Sequence, residues 1–466
     1  MNHSKRLAMT GQIKRFCHRF AQGMGGALSR VIPRAELLRW VEEETGPYRE
    51  RLYGPLQTLM LFIEQVLSAD HSCQDAVARG LSQRVGLGQA PCSLNNGPYC
   101  KARARLALGL IERLGREVGE RLHRAQPEAW RWRGREVKLI DGSTVSMPDT
   151  PENQAEFPQS RSQKRGLGFP VARLVAVISL SCGAVLAWAS APCAGKGSGE
   201  TALLRRLGAQ LLPGDVVIAD RYFAGYFLLV WLLQQGVDIV MRQHQLRHTD
   251  FRRGQRLGKK DHVVNWHRPQ RPAWMDTATY ATMPPTLTLR ETSVGGLILI
   301  TSLLDARQVD KAALLELYHA RWQIELDLRA IKSVMQMDVL RCKSPAMVRK
   351  EIAVHLLAYN LVRAVMAQAA FLGHVLPRQL SFSAALQLVR AFEQNLRHCP
   401  RGRLQIRLAH LLGGIAQLRL PHRPGRVEPR AVKRRAKPHP LLTEPRHVLR
   451  ARLKKTQERR TAATLR

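Results

Sequence analysis

Residues 215–221 read DVVIADR, a short aliphatic run that ends in an acid, Asp220. The run follows Pro213-Gly214, and an apolar segment of this length after such a breaker is typical of a buried strand. Asp220 stands at the carboxyl end of that strand, where open α/β sheets place their functional sites. This stretch therefore predicts an α/β sheet and a first candidate site residue.

The flanking sequence extends the sheet in both directions. The spacing of apolar residues changes between that of a strand and that of a helix along the chain. The resulting order, strand-strand-strand-helix-strand-helix-strand, predicts an α/β layer with a mixed sheet. The other segments are VKLIDGSTVSM (137–147), LVAVISL (174–180), AVLAWAS (184–190), ETALLRRLGAQLL (200–212), AGYFLLVWLLQQG (224–236) and DIVMR (238–242). Residues 174–195 carry no charge, but Ser-Cys-Gly interrupts them, so two strands joined by a turn fit better than a membrane-spanning helix.

A second acid occupies a similar position. Asp141 closes the strand VKLID, and the Gly-Ser-Thr that follows predicts a turn that exposes its carboxylate. Two acids at strand ends of one sheet can converge on a metal ion. The alternative is that each is an ordinary cap or turn residue, which is the commoner role of a single strand-end Asp.

A third acid lies on a predicted long helix, residues 311–335. Four polar residues recur there within an arc of about 60°, at about 100° per residue; they are Tyr318, Arg321, Glu325 and Lys332. The neighbouring stripe is apolar and predicts the buried face; it comprises Leu317, Ile324, Leu328, Ile331 and Met335. The helix thus presents a phenol, a guanidinium, a carboxylate and an ammonium together. The alternative is a solvated face on which the cations pair with Glu325 or Asp327.

The rest of the chain divides by composition. Residues 1–130 have apolar residues at helical spacing and predict a helical domain; residues 73–106 are compatible with a helix-turn-helix, although a plain helical bundle explains them equally well. Residues 131–376 hold the α/β sheet, and the basic, Pro-rich residues 246–292 predict a β-rich insertion within it. Residues 377–466 predict a helical region and then, from residue 419, a mostly extended basic tail.

Charge indicates the class of partner. The 466 residues include 73 Lys or Arg against 36 Asp or Glu, a formal net charge of +37. A polyanion, most simply nucleic acid, is the partner that such an excess favours, since bound phosphates release counterions. The alternative is a basic surface that only maintains solubility. The eight cysteines form no C-x-x-C pair, which favours reduced thiols in the cytoplasm over disulfides or a zinc ribbon.

Several motifs resemble those of one enzyme family. The spacing Tyr-x₂-Arg-x₃-Glu-x₆-Lys is similar to the YREK signature of the insertion-sequence-four family of DDE transposases. The regions around its first two acids are similar to residues 141–159 (DGSTVSMPDTPENQAEFPQ) and 215–226 (DVVIADRYFAGY). AGKGSGE (194–200) and residues 428–446 also resemble stretches of that family. AGKGSGET is no phosphate-binding loop, because Ser190 stands where that motif needs Gly.

The resemblance implies a fold and a site. It implies a ribonuclease H-like catalytic domain with the β-rich insertion between the second Asp and the Glu, a gap of 105 residues here. Asp141, Asp220 and Glu325 are then the catalytic acids and the ligands of two Mg²⁺, with Mn²⁺ as a substitute. Tyr318, Arg321 and Lys332 are then DNA-backbone contacts, and Arg321 is suited to a two-pronged phosphate contact.

One departure concerns hairpin formation. Some family members carry a Trp at the start of the strand that leads into Thr-Ser, where it helps to flip a base; Leu297 stands there in this chain. Trp266 and Trp274 lie in the insertion and are either substitutes for it or packing residues. A DNA hairpin intermediate thus rests on the resemblance alone.

The functional prediction is a DNA transposase that cuts and joins strands at the ends of its own insertion sequence. Its predicted partners are double-stranded DNA, namely terminal inverted repeats and target DNA, with no membrane and with a homodimer in the DNA complex. The predicted location is the cytoplasm, on the nucleoid through DNA binding. Two alternatives stay open: a metal-dependent nuclease of the same fold, which cuts without joining, and a catalytically inactive DNA-binding protein.

Overall fold

A computed structural model describes residues 31–46, 48, 52–397, 399–421 and 440–464 of the chain. Its centre is one mixed sheet of nine strands in the order β3-β2-β1-β4-β5-β9-β8-β7-β6. The strands are β1 Val137–Ser146, β2 Val171–Ser179, β3 Val185–Pro192, β4 Val216–Ala219, β5 Asp238–Arg242, β6 Gln255–Gly258, β7 Asp261–His267, β8 Thr286–Val294 and β9 Leu297–Thr301. The predicted mixed α/β architecture is confirmed, including the two strands within residues 174–195.

Pairing directions decide which strand ends meet. β1, β2 and β3 form an antiparallel meander, whereas β4 is parallel to β1 and β5 is parallel to β4. The β1–β4 register pairs Leu139 with Ile218, so the residues that follow in each strand advance side by side toward Asp141 and Asp220.

The predicted turn after Asp141 is wrong. β1 continues to Ser146, and Asp141 lies opposite Ala176 of β2 in an unbroken antiparallel ladder. Pairing with β4 stops at Leu139, but β2 supplies backbone partners for the next seven residues. Tertiary pairing has overridden the turn propensity of Gly-Ser-Thr.

The insertion is β-rich, as predicted, but it continues the main sheet. Residues 290–294 of β8 pair with β9, β7 pairs with β8, and β6 pairs with β7 at the edge of the sheet. A short helix, Thr277–Thr282, connects β7 to β8. The inserted strands therefore extend the main sheet beyond β9.

Helices cover the sheet and contribute to the same core. In chain order they are α1 Arg34–Thr45, α2 Pro55–Leu67, α3 Cys73–Gly86, α4 Gly97–Arg105, α5 Leu108–Arg124, α6 Pro151–Glu156, α7 Glu200–Arg205, α8 Tyr226–Gln234, α9 Thr277–Thr282, α10 Lys311–His319, α11 Trp322–Arg329, α12 Pro345–Leu372, α13 Phe382–Arg397, α14 Leu404–Gln417 and α15 Arg446–Thr464. Residues 34–124 are mainly helical, as predicted, and the largest hydrophobic cluster runs from these helices through the sheet to α14.

Close packing joins the amino-terminal helices to the sheet. α5 approaches β3 so closely that a Cβ at Gly119 would overlap the Val185 carbonyl. Asn360 of α12 bridges the two, since its Nδ2 donates to the carbonyls of Gly115 (2.9 Å) and Val185 (2.8 Å). Whether residues 1–130 form a separate domain stays a prediction.

α12 is the core helix. Of the helices that the structure describes, it alone is long and apolar enough to cross a membrane, and 89% of its most apolar window is buried inside the protein. It packs against α2, α5, α13 and α14.

The prediction for the carboxyl terminus is partly wrong. Residues 446–464 form the helix α15, where the sequence predicts an extended tail. Arg, Lys, Leu and Ala, which are good helix formers, make up 12 of these 19 residues, and Pro445 lies just before the helix. Residues 422–439 of the tail and residues 1–30 lie outside the described part of the chain.

Candidate active site

Asp141 lies on β1, and Asp220 directly follows the carboxyl end of the adjacent parallel strand β4. Asp141 is half-buried, and its Oδ1 accepts a hydrogen bond from the Gly142 backbone N–H at 2.8 Å. Asp220 caps a single turn of 3₁₀-helix, residues 221–223, and its Oδ1 accepts from the Tyr222 N–H at 2.8 Å. Both carboxylates are therefore oriented by backbone donors, which is how caps and turns fix short acidic side chains.

The two acids interact. Burial raises the pKa of Asp141 to about 6, and the negative charges of Asp220 and Glu200 add to the rise. The Gly142 N–H and the Arg321 guanidinium act in the opposite direction. The structure thus brings Asp141, Asp220 and Arg321 close enough for their charges to interact, as the predicted convergence of the two acids requires.

The helix that carries the third acid is not continuous, contrary to the prediction for residues 311–335. α10 ends at His319, α11 begins at Trp322, and a π-helical turn, Ala330–Val334, follows it. Between α10 and α11 the backbone tightens, with i→i+3 bonds such as Arg321 N–H to Tyr318 O (3.0 Å). The predicted apolar stripe is nonetheless buried throughout: Leu317, Ile324, Leu328, Ile331 and Met335.

Tyr318, Arg321 and Glu325 form a contiguous group on this broken helix. Arg321 Nη2 donates to Glu325 Oε1 at 2.8 Å, with both side chains partly exposed. Tyr318 is buried, which raises its pKa, while the charges of Arg321 and Arg242 oppose the rise. The predicted juxtaposition of these three side chains is present, and Glu325 is ion-paired with Arg321.

Lys332 reaches the same region from the π-helical turn. Its Nζ donates to Ser143 Oγ at 3.0 Å, and Ser143 lies two residues after Asp141 on β1. Alternate residues of a strand share a face, so Lys332 is on the face of β1 that carries Asp141.

Asp327 takes no part in this group. It is fully buried and binds Arg363 of α12 and Arg378, whose Nη1 donates to both of its oxygens (2.6 and 2.7 Å). The alternative interpretation allowed Arg321 or Lys332 to pair with Glu325 or Asp327 on the surface. The Arg321–Glu325 pair is present, but the buried Asp327 binds Arg363 and Arg378 instead.

The structure adds residues that the sequence reasoning missed. The Glu200 carboxylate lies over Gly142, so closely that a Cβ there would be 2.5 Å from Glu200 Oε1. Arg242 is the last residue of β5, and its positive charge lowers the pKa of Tyr318. In the sequence, the only signs of these contacts are Gly142 after the first acid and Arg242 at the end of a strand. Neither sign is specific unless the pairing of the strands is known.

The carboxylates of the candidate site suit a divalent cation in part. Carboxylate oxygens are the ligands that Mg²⁺ and Mn²⁺ prefer, and the missing side chain of Gly142 leaves room for the Glu200 carboxylate next to Asp141. Within the described ranges, no group of three or more Asp, Glu, His or Cys side chains is arranged to hold a metal ion as it stands. Asp141 and Asp220 suit such an ion by chemistry and proximity, whereas Glu325 is engaged with Arg321.

The two tryptophans of the insertion differ. Trp266 is buried, and its Nε1 donates to Glu291 Oε1 at 2.7 Å, so it is a packing residue. Trp274 is 60% exposed and rests edge-on against Phe227, with the Arg205 guanidinium 4.4 Å from its ring centre. Leu297 is half-buried at the start of β9.

Comparison with known proteins agrees with the geometry. Residues 132–361 match the model of the transposase DDE domain family. The chain is 31% identical over 353 residues to the transposase InsG for insertion sequence element IS4 of Escherichia coli K12, an alignment that covers 73% of this chain and 77% of InsG. It is 28% identical over 139 residues to the putative transposase InsZ of the same organism, covering 30% of this chain and 46% of InsZ.

Proposed function

The chain belongs to the IS4 family of DDE transposases, and from this premise we propose that it carries out metal-dependent cleavage and strand transfer at the ends of its own insertion sequence. The observation that carries the proposal is the placement of Asp141 on β1 and of Asp220 just after the adjacent strand β4, with Arg321, Glu325 and Lys332 beside them.

The three acids have the proposed role of metal ligands. Asp141, Asp220 and Glu325 would hold two Mg²⁺, or Mn²⁺ in their place, and bound cations of this kind activate the attacking oxygen and stabilise the leaving oxygen. Support comes from the raised pKa of Asp141, which burial and the nearby carboxylates produce and which a bound cation would relieve. Glu325 would exchange its Arg321 partner for this role.

Three side chains are proposed to bind the DNA backbone. The guanidinium of Arg321 has a planar fork that suits a phosphate. If Glu325 bound a metal ion, its ion pair with Arg321 would break and the guanidinium would become available for that contact. Lys332 offers a point charge, and Tyr318 a hydroxyl beside the same surface. Their common location on α10, α11 and the π-helical turn supports a single backbone-binding face.

The fold supports a finer assignment. An antiparallel β1–β2–β3 meander followed by two parallel strands, β4 and β5, is the arrangement that we propose as ribonuclease H-like, spanning residues 131–376. Residues 1–130 are proposed to bind the DNA ends, and residues 377–466 to add a basic contact surface.

The proposed partners follow from the charge and the family. Double-stranded DNA, as terminal inverted repeats and as target, matches a net charge of +37. We propose a homodimer in the DNA complex, with one chain for each of the two ends of the insertion sequence, and a cytoplasmic location on the nucleoid.

One experiment tests the reaction class. The purified protein is incubated with Mg²⁺ and duplexes taken from the DNA that flanks its own gene, together with a supercoiled target plasmid. Joined products on the target are the expected result. Cleaved but unjoined ends would indicate the nuclease instead, and binding without cleavage would indicate an inactive DNA-binding protein; either outcome contradicts the proposal.

A further inference from the structure

Ser143 contacts the lysine of the candidate site. It lies on β1 two residues beyond Asp141, and its Oγ accepts a hydrogen bond from Lys332 Nζ at 3.0 Å. Alternation of side chains along a strand puts Ser143 and Asp141 on the same face. The Ser143 hydroxyl is therefore close to the first acid as well as to the cation.

The segment that carries Lys332 is held in place by the same strand. Lys332 belongs to the π-helical turn Ala330–Val334, and π-turns inside helices are frequent at functional sites. Immediately after it, the Ser146 N–H donates to the Asp338 carbonyl at 2.9 Å, and the Leu340 N–H donates to the Ser146 carbonyl at 2.8 Å. β1 thus fixes this segment through its backbone at Ser146 and through a side chain at Ser143.

The Ser143–Lys332 hydrogen bond leaves donors available. A serine hydroxyl has two lone pairs and one O–H, and an ammonium has three N–H groups. Lys332 occupies one lone pair of Ser143 with one of its hydrogens. Within the part of the chain that the structure describes, the serine O–H and the remaining N–H groups have no other hydrogen-bond partner, so they can point toward one anionic oxygen beside Asp141.

We propose that Ser143 and Lys332 together form a binding site for one phosphate of the DNA backbone. Ser143 orients the ammonium and donates its own hydroxyl hydrogen to the same phosphate oxygen. A lysine side chain that is oriented in advance loses less conformational freedom when DNA binds. The inference deepens the proposed function, since it rests on DNA binding next to the acids.

The test combines DNA binding with single-turnover cleavage. The probe is a labelled duplex from the DNA that flanks the gene, used with the full-length chain. The variants are Ser143→Ala, Ser143→Thr, Lys332→Ala and the double variant Ser143→Ala/Lys332→Ala. Ser146→Ala is the matched control, because it removes a serine hydroxyl of the same strand that bonds the Asp338 carbonyl (3.0 Å) and not Lys332.

Each variant has an expected result. Ser143→Ala should bind about tenfold more weakly, as the removal of a hydrogen bond to a charged group implies. Its plot of log K against log salt should become shallower by up to about 0.9, the slope of one neutralised phosphate. Ser143→Thr keeps the hydroxyl and should restore both values, while Ser146→Ala should match the parent. In the Lys332→Ala background, Ser143→Ala should add little, since coupled residues are not additive.

Other results would overturn the inference. A Ser143→Ala protein that binds and cuts like the parent shows that the hydroxyl has no such role. A weakening of equal size with and without Lys332 shows an effect on the fold alone, and thermal denaturation of each variant would reveal it independently. A parent that neither binds nor cuts the duplex would instead overturn the proposed function, and this inference with it.

Discussion

Burial and charge act together on single residues of the site. Burial raises the pKa of Asp141, the charges of Asp220 and Glu200 add to the rise, and the Gly142 N–H and Arg321 oppose it. The sequence could identify Tyr318, Arg321, Glu325 and Lys332 because their spacing lies within one segment. It could not identify Glu200 or Ser143 as neighbours of the acids, because those contacts depend on how distant strands and helices pair.

The first prediction concerns Asp141→Asn in protein free of divalent cations. The folded pKa of Asp141 is about 6 against an ordinary 3.8, so the parent loses stability as the pH rises through that window. The variant has no carboxyl and keeps that stability. Above about pH 6 the free energy of unfolding of the variant should therefore exceed that of the parent by at most about 3 kcal/mol, the value that corresponds to a pKa raised from 3.8 to about 6. This difference should vanish near pH 4.

Urea denaturation with EDTA, at several pH values from 4 to 7.5, measures this difference. A variant that is less stable than the parent at pH 7.5, or a difference that does not change with pH, would contradict the environment assigned to Asp141.

At the scale of elements, the sequence patterns predicted the ends of strands and the breaks in helices less accurately than the elements themselves. The apolar stripe of residues 311–335 has the same period whether or not the helix is broken, so the pattern could not reveal the junction at Arg321 or the π-helical turn. β1 runs past Asp141 because β2 provides a partner, which no local propensity shows. By contrast, the order of the strands and main helices along the chain up to β5 follows from the alternating periods.

The second prediction concerns the buried cluster that holds α11. Asp327 is fully buried and links α11 to Arg363 of α12 and to Arg378, which also donates to the Ser179 carbonyl at the end of β2 (2.7 Å). Asp327→Ala leaves two cations buried without their carboxylate. The free energy of unfolding should fall by about 3–5 kcal/mol, as for other buried pairs from which one partner is removed.

The control is an exposed ion pair. Arg39→Ala breaks the Arg39–Glu43 pair on α1 and should change the unfolding free energy by less than about 1 kcal/mol. Equal and small effects of both variants in denaturant titrations would show that the Asp327 cluster does not anchor α11.

At the scale of the whole molecule, charge and packing have separate roles. One hydrophobic cluster joins the amino-terminal helices, the sheet and α12 to α14, while the basic excess extends to the carboxyl-terminal helix α15. The net charge predicted a polyanion partner, and the family agrees with that class. Sequence reasoning did not foresee that the insertion would continue the sheet, because only strand pairing in three dimensions shows it.

The third prediction concerns the basic carboxyl terminus. Truncation after Pro421 removes α15 and the basic stretch before it but retains the bridge between Leu380 and Arg419. The shortened chain should bind flanking and random duplexes more weakly by the same factor. Its salt slope should fall by about 0.9 for each DNA phosphate that the terminus neutralises in the parent.

Fluorescence anisotropy over a salt series measures both duplexes. Disappearance of the preference for the flanking duplex, with affinity for random DNA unchanged, would show that the terminus reads sequence and would contradict this division of roles.

The central claim is that Asp141, Asp220 and Glu325 perform the cleavage, and Asp220 tests it most directly. Asp220→Asn keeps an acceptor for the Tyr222 N–H and so preserves the cap, while it removes the charge that a cation needs. The measurement is single-turnover strand cleavage of the flanking duplex in Mg²⁺, with DNA binding measured in parallel. Asp220→Asn should retain DNA binding and lose cleavage; cleavage at close to the parent rate would contradict the role assigned to the three acids.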